Sequence, residues 1–193
     1  MPSPFLSSTP NPSEPRPKEA VNCLTTTRFQ LRRLIPDDAS WLAALDTDPD
    51  VMRYIREPST PGQALADAQA RITSDLLHPT LGLWAIEDGT TTPGWVGLKP
   101  FNLCEDPDLY ELELGFRLIP TSWGQGIAHE AGARILEYGF KDLRLPRILG
   151  VAHIENAASN RVLAKLGFLF ERRIEHWNNY ERTTEQSTLP AAQ

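Results

Sequence analysis

At 193 residues, 40% apolar and 23% charged, the chain has the length and composition of a single globular domain with a full core. Its net charge of −6 and pI near 5.2 argue against a nucleic-acid surface and favour cationic partners. Two distant cysteines, Cys23 and Cys104, and four scattered histidines give neither a disulfide framework nor metal-ligand spacing, and no apolar run approaches the roughly 20 residues of a membrane span. The start lacks the basic region and apolar core of a secretory signal, so the expectation is a cytoplasmic protein without metal, membrane or nucleic-acid partner. A homodimer is left open.

Residues 1–25 carry six prolines among serines and read as a disordered tail; residues 26–189 read as one folded domain. Phe29 and Leu31 alternate with polar neighbours as in a half-buried strand. Pro36-Asp37-Asp38 starts a helix with an Asp as N-cap, Trp41, Leu42 and Leu45 form its apolar stripe, and Asp48-Pro49 ends it. A short helix can follow over 51–55. A longer one begins at Pro61, with Leu65, Ala68, Ile72 and Leu76 as its stripe, and stops at His78-Pro79. Two strands, 83–87 and 95–101, form a hairpin, and an acidic loop, Glu105-Asp106-Pro107-Asp108, leads into a strand over 109–119.

That strand stops at Pro120, and Trp123-Gly124-Gln125-Gly126 turns directly into a helix. Ala128, Ala131, Gly132, Ile135, Leu136 and Gly139 mark its buried face, while Glu130/Arg134 and Glu137/Lys141 pair four apart on its wet side. A glycine turn into a helix N-terminus leaves backbone N–H groups converging on one spot, an anion site suited to a pyrophosphate. The plainer reading is a tight turn. Neither a Rossmann nor a Walker A pattern fits, because position 129 is His and no Gly-Lys-Ser/Thr follows. A short strand over 147–153, a helix over 156–166 closed by Gly167, and a final strand pair, 168–175 and 179–189, complete the chain. No internal repeat is present.

Three words in order carry a resemblance: T-T-R-F-Q-L-R-R-L near the start, E-L-G-F-R-L-I-P-x-x-W-G-Q-G-I-A-x-E-A in the middle, and N-A-A-S-N-R-V-L-A-K-L-G-F later. They resemble the GNAT acetyltransferases, and within them the ribosomal-protein N-terminal acetyltransferases of the RimJ/RimL type. The resemblance covers 25–189 and implies the GNAT fold, an α/β (α+β) domain with a mixed, mostly antiparallel central sheet flanked by helices. It also implies acetyl-CoA as cosubstrate and acetyl transfer to an amine. Trp123, Gly124, Gln125, Gly126, Ile127 and Ala128 then match the pyrophosphate cradle, acting mainly through backbone N–H groups. Backbone of Phe116, Arg117 and Leu118 would pair with the pantetheine like an added strand. Asn156 would bond the pantetheine arm, with Ser159 to Arg161 near the thioester or the phosphates. Asn156 also reads as a helix N-cap with Ser159 at N3, and both roles can hold. The family often has Arg or Gln three residues before the first cradle glycine; here that place is Thr121.

A neutral amine must attack the thioester, so a base or water chain takes the ammonium proton. Period two puts Glu111, Glu113 and Arg117 on one strand face, with Tyr110, Leu112, Leu114, Phe116 and Leu118 beneath the central helix. Close carboxylates in a desolvated slot would raise one pKa toward base work; equally, they pair with Arg117 or face solvent. Glu113 is the first choice for base, Glu111 the second, and a backbone N–H near Phe116 suits the oxyanion. Ser159 could protonate the leaving thiolate. Tyr138 reads better as a core aromatic, and His153 as structural. Trp41, Tyr54, Trp84 and Trp177 are candidate walls of the acceptor site, and Glu105, Asp106 and Asp108 a candidate acidic rim. The reading is direct N-acetylation of a protein α-amine or a small amine, without a covalent intermediate. A non-catalytic acyl-CoA-binding module is the alternative. A nucleotide-phosphate hydrolase is disfavoured for want of a Lys after the glycine turn.

Overall fold

A computed structural model describes residues 22–101, 111–176 and 182–190. Eight strands form one sheet in the order β1-β2-β3-β4-β5-β6-β8-β7: β1 (Cys23–Thr25), β2 (Gln30–Arg33), β3 (Gly82–Glu87), β4 (Gly94–Pro100), β5 (Leu112–Leu118), β6 (Arg147–His153), β7 (Leu169–His176) and β8 (Arg182–Pro190). Every pairing is antiparallel except β5 with β6. Among the described residues the α-helices are α1 (Ala39–Thr47), α2 (Pro49–Met52), α3 (Pro61–Leu76), α4 (Ile127–Glu137) and α5 (Ala157–Lys165). This is the mixed, mostly antiparallel architecture expected from the sequence. Cys23–Thr25 fall in the stretch read as tail, yet pair with β2 because Leu24 enters the core.

The sheet is covered on both faces. On one side α4 packs Ile127, Ala131 and Ile135 onto Val96, Leu98, Leu114 and Leu118. On the other, α1 and α3 pack Leu42, Leu45, Ala68 and Ile72 onto Leu83, Ala85 and Trp95. With both faces buried, β3 and β4 are apolar almost throughout rather than alternating.

Two local readings differ in detail. The buried stripe of α3 is Ala64, Ala68, Ile72 and Asp75, whereas Leu65 is 39% and Leu76 61% exposed. Each of those leucines sits one residue, and so about 100° of helix, away from the seam. Asp38 closes a 3₁₀ turn before α1 by accepting the Ile35 N–H at 2.7 Å instead of capping α1 forward. Its carboxylate also receives two nitrogens of Arg32, at 2.7 and 2.9 Å, and the Trp41 indole at 2.8 Å. Asp48, read as a helix end, is the N-cap of α2 and accepts from the Asp50 and Val51 N–H groups.

Candidate active site

Strand β5 is paired along its whole length with β4, from Gly94 opposite Leu118 to Pro100 opposite Leu112. On its other edge it meets β6 at only two positions, Glu113 with Leu149 and Leu114 with Gly150. Beyond Leu114 the parallel strands diverge, leaving the edge from Gly115 to Leu118 without a β6 partner. The result is a slot that opens toward the C-terminal ends of both strands. An extended ligand arm can pair with such an edge as a strand would. Phe116, Arg117 and Leu118 lie on it, although the Leu118 carbonyl already accepts from the Trp123 indole at 2.9 Å.

The glycine turn stands at the end of this strand. Gly124 and Gly126 have φ of 75° and 77°, a left-handed conformation that glycine adopts at little cost. Gly126 is the N-cap of α4, and no side chain caps the helix. The first intrahelical bond runs from Glu130 N–H to the Gly126 carbonyl at 3.0 Å, so the N–H groups of Ile127, Ala128 and His129 precede the helical ladder. Ile127 and Ala128 bury their side chains in the core, and the exposed turn presents backbone outward. A pyrophosphate fits this mouth, which offers backbone donors and a positive dipole end, with the Arg28 guanidinium at its side. α5 begins differently, because Asn156 Oδ1 accepts from the Ser159 N–H at 3.0 Å and satisfies its own helix end.

Arg28 is a site residue that pattern reading passed over. It projects from the β1–β2 turn, and both its Nη atoms donate to the Gln125 carbonyl at 3.2 Å. Its Nε donates to Glu130 at 2.7 Å, and its backbone N–H to the same carboxylate at 2.9 Å. This clamp holds the turn and neutralises the acid in the first turn of α4, where it would repel an anion. Arg28 sits in the first quoted word, but no periodicity links it to a turn 97 residues later.

At the mouth of the slot, Tyr54 stacks on His153 with ring centroids 5.5 Å apart. The Glu155 N–H donates to His153 Nδ1 at 3.2 Å, which puts the proton of the neutral ring on Nε2. Asn160 fastens α5 to the end of β6, its amide donating to the His153 and Ile154 carbonyls at 3.0 and 3.2 Å. Arg161 is exposed on α5. Tyr138 is buried and donates to the Thr80 carbonyl at 3.0 Å, as a core aromatic.

The opposite face of β5 carries the charged groups. Glu113 contacts the Lys99 ammonium across the β4–β5 ladder, and Arg117 contacts Asp46 of α1. Glu111 lies 3.6 Å from Arg147 at the closed end of the slot. Glu113 has the Lys99 ammonium, while the Arg147 beside Glu111 is held more closely by Glu171, at 2.6 Å, so each carboxylate of the strand sits near a cation. Arg117 partners neither of them. Lys99 is pushed down to about 8, by burial first and then by the charges of Arg71 and Arg117.

The aromatic walls sort differently from expectation. Trp84 is fully buried edge-on to Tyr138, and the half-buried Trp41 donates its indole N–H to Asp38. Trp95 instead lies beside Arg117, 5.5 Å from its guanidinium. Trp177, Glu105, Asp106 and Asp108 lie outside the described residues.

Comparison with known proteins bears on this geometry. The acetyltransferase (GNAT) domain family matches residues 28–169. FsC-acetyl coenzyme A-N(2)-transacetylase of Aspergillus fumigatus is 30% identical over 154 residues, covering 77% of this chain and 66% of that protein. The uncharacterized N-acetyltransferase YoaA of Bacillus subtilis is 31% identical over 166 residues, covering 86% of this chain and 92% of its own. The crystal structure of spermidine N-acetyltransferase from Vibrio cholerae, in complex with CoA and spermine, superposes with a TM-score of 0.69 at 21% identity. That match covers 86% of this chain and 96% of the other, and at this identity it speaks to fold alone. With a slot beside an uncapped helix mouth and a family match over most of its length, the chain belongs to the GNAT family of acetyltransferases.

Proposed function

We propose that the protein transfers an acetyl group directly from acetyl-CoA to a primary amine, either a protein N-terminal α-amine or the amine of a small molecule. The observation that carries this is the divergence of β5 from β6 after two paired residues, with the uncapped start of α4 at its mouth. The edge at Phe116 and Arg117 offers the pantetheine arm a strand to pair with. Trp123 to Ala128 offer the diphosphate backbone N–H groups, and Asn156 and Arg161 flank the arm from α5. The bound thioester supplies an activated acetyl group.

Around the reacting carbon, this chain's residues hold and move protons. Glu113 accepts the ammonium proton, directly or through water, with the Lys99 contact fixing its carboxylate; Glu111 stands further back. A backbone N–H at Phe116 faces the developing oxyanion, and Ser159 supplies a proton to the departing thiolate. Cys23 is exposed on β1, remote from the slot in the sheet order, so no thiol of the described residues serves as an acyl carrier.

The RimJ/RimL likeness rests on the sequence words and favours a protein α-amine. A small amine is the other acceptor class; spermine, the ligand named with the Vibrio protein, is an example of it. Thiol release from acetyl-CoA with a panel of amines and peptide N-termini tests the reading, beside CoA affinity by calorimetry. Amine-dependent thiol release is expected. CoA binding without release on the whole panel would leave a non-catalytic acyl-CoA-binding module.

A further inference from the structure

On the face of the sheet away from α4, a groove of about 550 Å³ lies between α1, α3 and strands β4 and β5. Its floor is Trp95, Lys99 and Arg117, so it is built on the very strand whose free edge forms the slot. Four cations line it, Arg56, Arg71, Lys99 and Arg117, against two carboxylates, Asp46 and Asp67. Asp46 is consumed by Arg56 at 3.0 Å and by Arg117. Asp67 is exposed on α3 and accepts from the Gln63 amide at 2.7 Å. Glu113, on the same face of β5 as Arg117, is taken by Lys99. Among the described residues, Arg71 has no ion pair, and the buried Nε of Arg117 has no hydrogen-bond partner.

Among the described residues, a polyamine entering this groove would meet four like charges and only two lining carboxylates, Asp46 and Asp67, each already accepting from a protein donor. An anion would meet the exposed Arg71 guanidinium, which has no ion pair among the described residues, beside the Arg117 guanidinium. We infer that the groove receives an acceptor carrying a carboxylate at a distance from its amine, as in an amino acid, with Arg71 and Arg117 holding the carboxylate and the amine turned toward the slot. Planar guanidinium forks match carboxylate geometry, and the half-buried setting strengthens each bond relative to water. The groove volume suits a small molecule better than a folded protein. This inference rests on the acetyl-transfer reading and narrows its acceptor.

The test uses matched amines that differ only at the far end, which is a carboxylate, a methyl ester or a second ammonium, with thiol release from acetyl-CoA as the readout. The carboxylate member should have a kcat/KM about tenfold or more above its ester, as one charge-assisted bond implies. Arg71→Ala should bring that ratio close to unity; Arg71 lies exposed on α3 without an ion pair, so its removal leaves the fold intact. A ratio near one in the wild type, or a preference for the diamine, overturns the inference while the acetyl-transfer reading stands. If no amine is acetylated, glutarate is titrated against the Trp95 fluorescence, assigned with Trp95→Phe. Saturable quenching that Arg71→Ala weakens about tenfold upholds the groove as a carboxylate site even as the catalytic reading fails. Absence of quenching overturns the groove as well.

Discussion

Replacing Gly126 by valine separates the work of the backbone from that of the side chains. At φ of 77° a residue with a Cβ costs about 1–2 kcal/mol, and a β-branched one more. The nearest foreign atom to a Cβ built there is Arg28 Nη2 at 3.6 Å, an ordinary contact, so the cost is conformational and not a clash. For a domain of this size that predicts a fall in Tm of roughly 2–8 °C. Ligand binding should suffer more. A side chain over the helix mouth removes one charge-assisted hydrogen bond or more, each worth about 1.5–3 kcal/mol, which weakens CoA about ten- to a hundredfold. Calorimetric titration with CoA and with pantetheine, which lacks the diphosphate, reads this out. CoA should weaken by that factor while pantetheine changes by less than about twofold. If CoA and pantetheine weaken alike, or if CoA is unaffected, the α4 mouth is not the diphosphate site.

Glu113→Gln should lower kcat by about a hundredfold at and below neutral pH, where a base is most needed, and less at high pH; a wild-type pH–rate profile would leave Glu113 a structural partner of Lys99. The Lys99 ammonium sits near 8 when folded against 10.5 when unfolded, so between these values the unfolded chain holds a proton that the folded one has shed. Stability should therefore rise with pH across that window by at most about 3 kcal/mol, and urea titrations of Lys99→Met should lack the rise. Burial works against the charged form of Asp38, but its bonds from Arg32, the Ile35 N–H and Trp41 hold its carboxyl below the usual range. Asp38→Asn should cost about 3 kcal/mol at neutral pH in chemical unfolding, because it leaves Arg32 short of its partner. The wild-type advantage should fade as pH drops below 3.8 through the depressed folded value, and an advantage that persists in acid would refute this account.

Much of the molecule was legible in the order of its residues. Local rules governed the glycine turn, the start of α4, the Asn156 cap and the two faces of β5, since each depends on neighbours within a few positions. Gly126 requires a left-handed backbone, and Leu112, Leu114 and Leu118 alternate because a strand does. Three sequence words in order also marked the family and the mixed, mostly antiparallel sheet. The seam of α3 was missed by one residue, because which of Ala64 or Leu65 faces inward is set by the helices and strands it packs against, not by hydrophobicity alone. Likewise no spacing rule could join Arg28 to Gln125, Arg117 to Asp46, or Lys99 to Glu113. Those pairs are distant in the chain and meet only when the sheet assembles. The charge of the groove between α1, α3, β4 and β5 was hidden for the same reason: the chain as a whole is acidic, and only tertiary folding gathers Arg56, Arg71, Lys99 and Arg117 around one hollow.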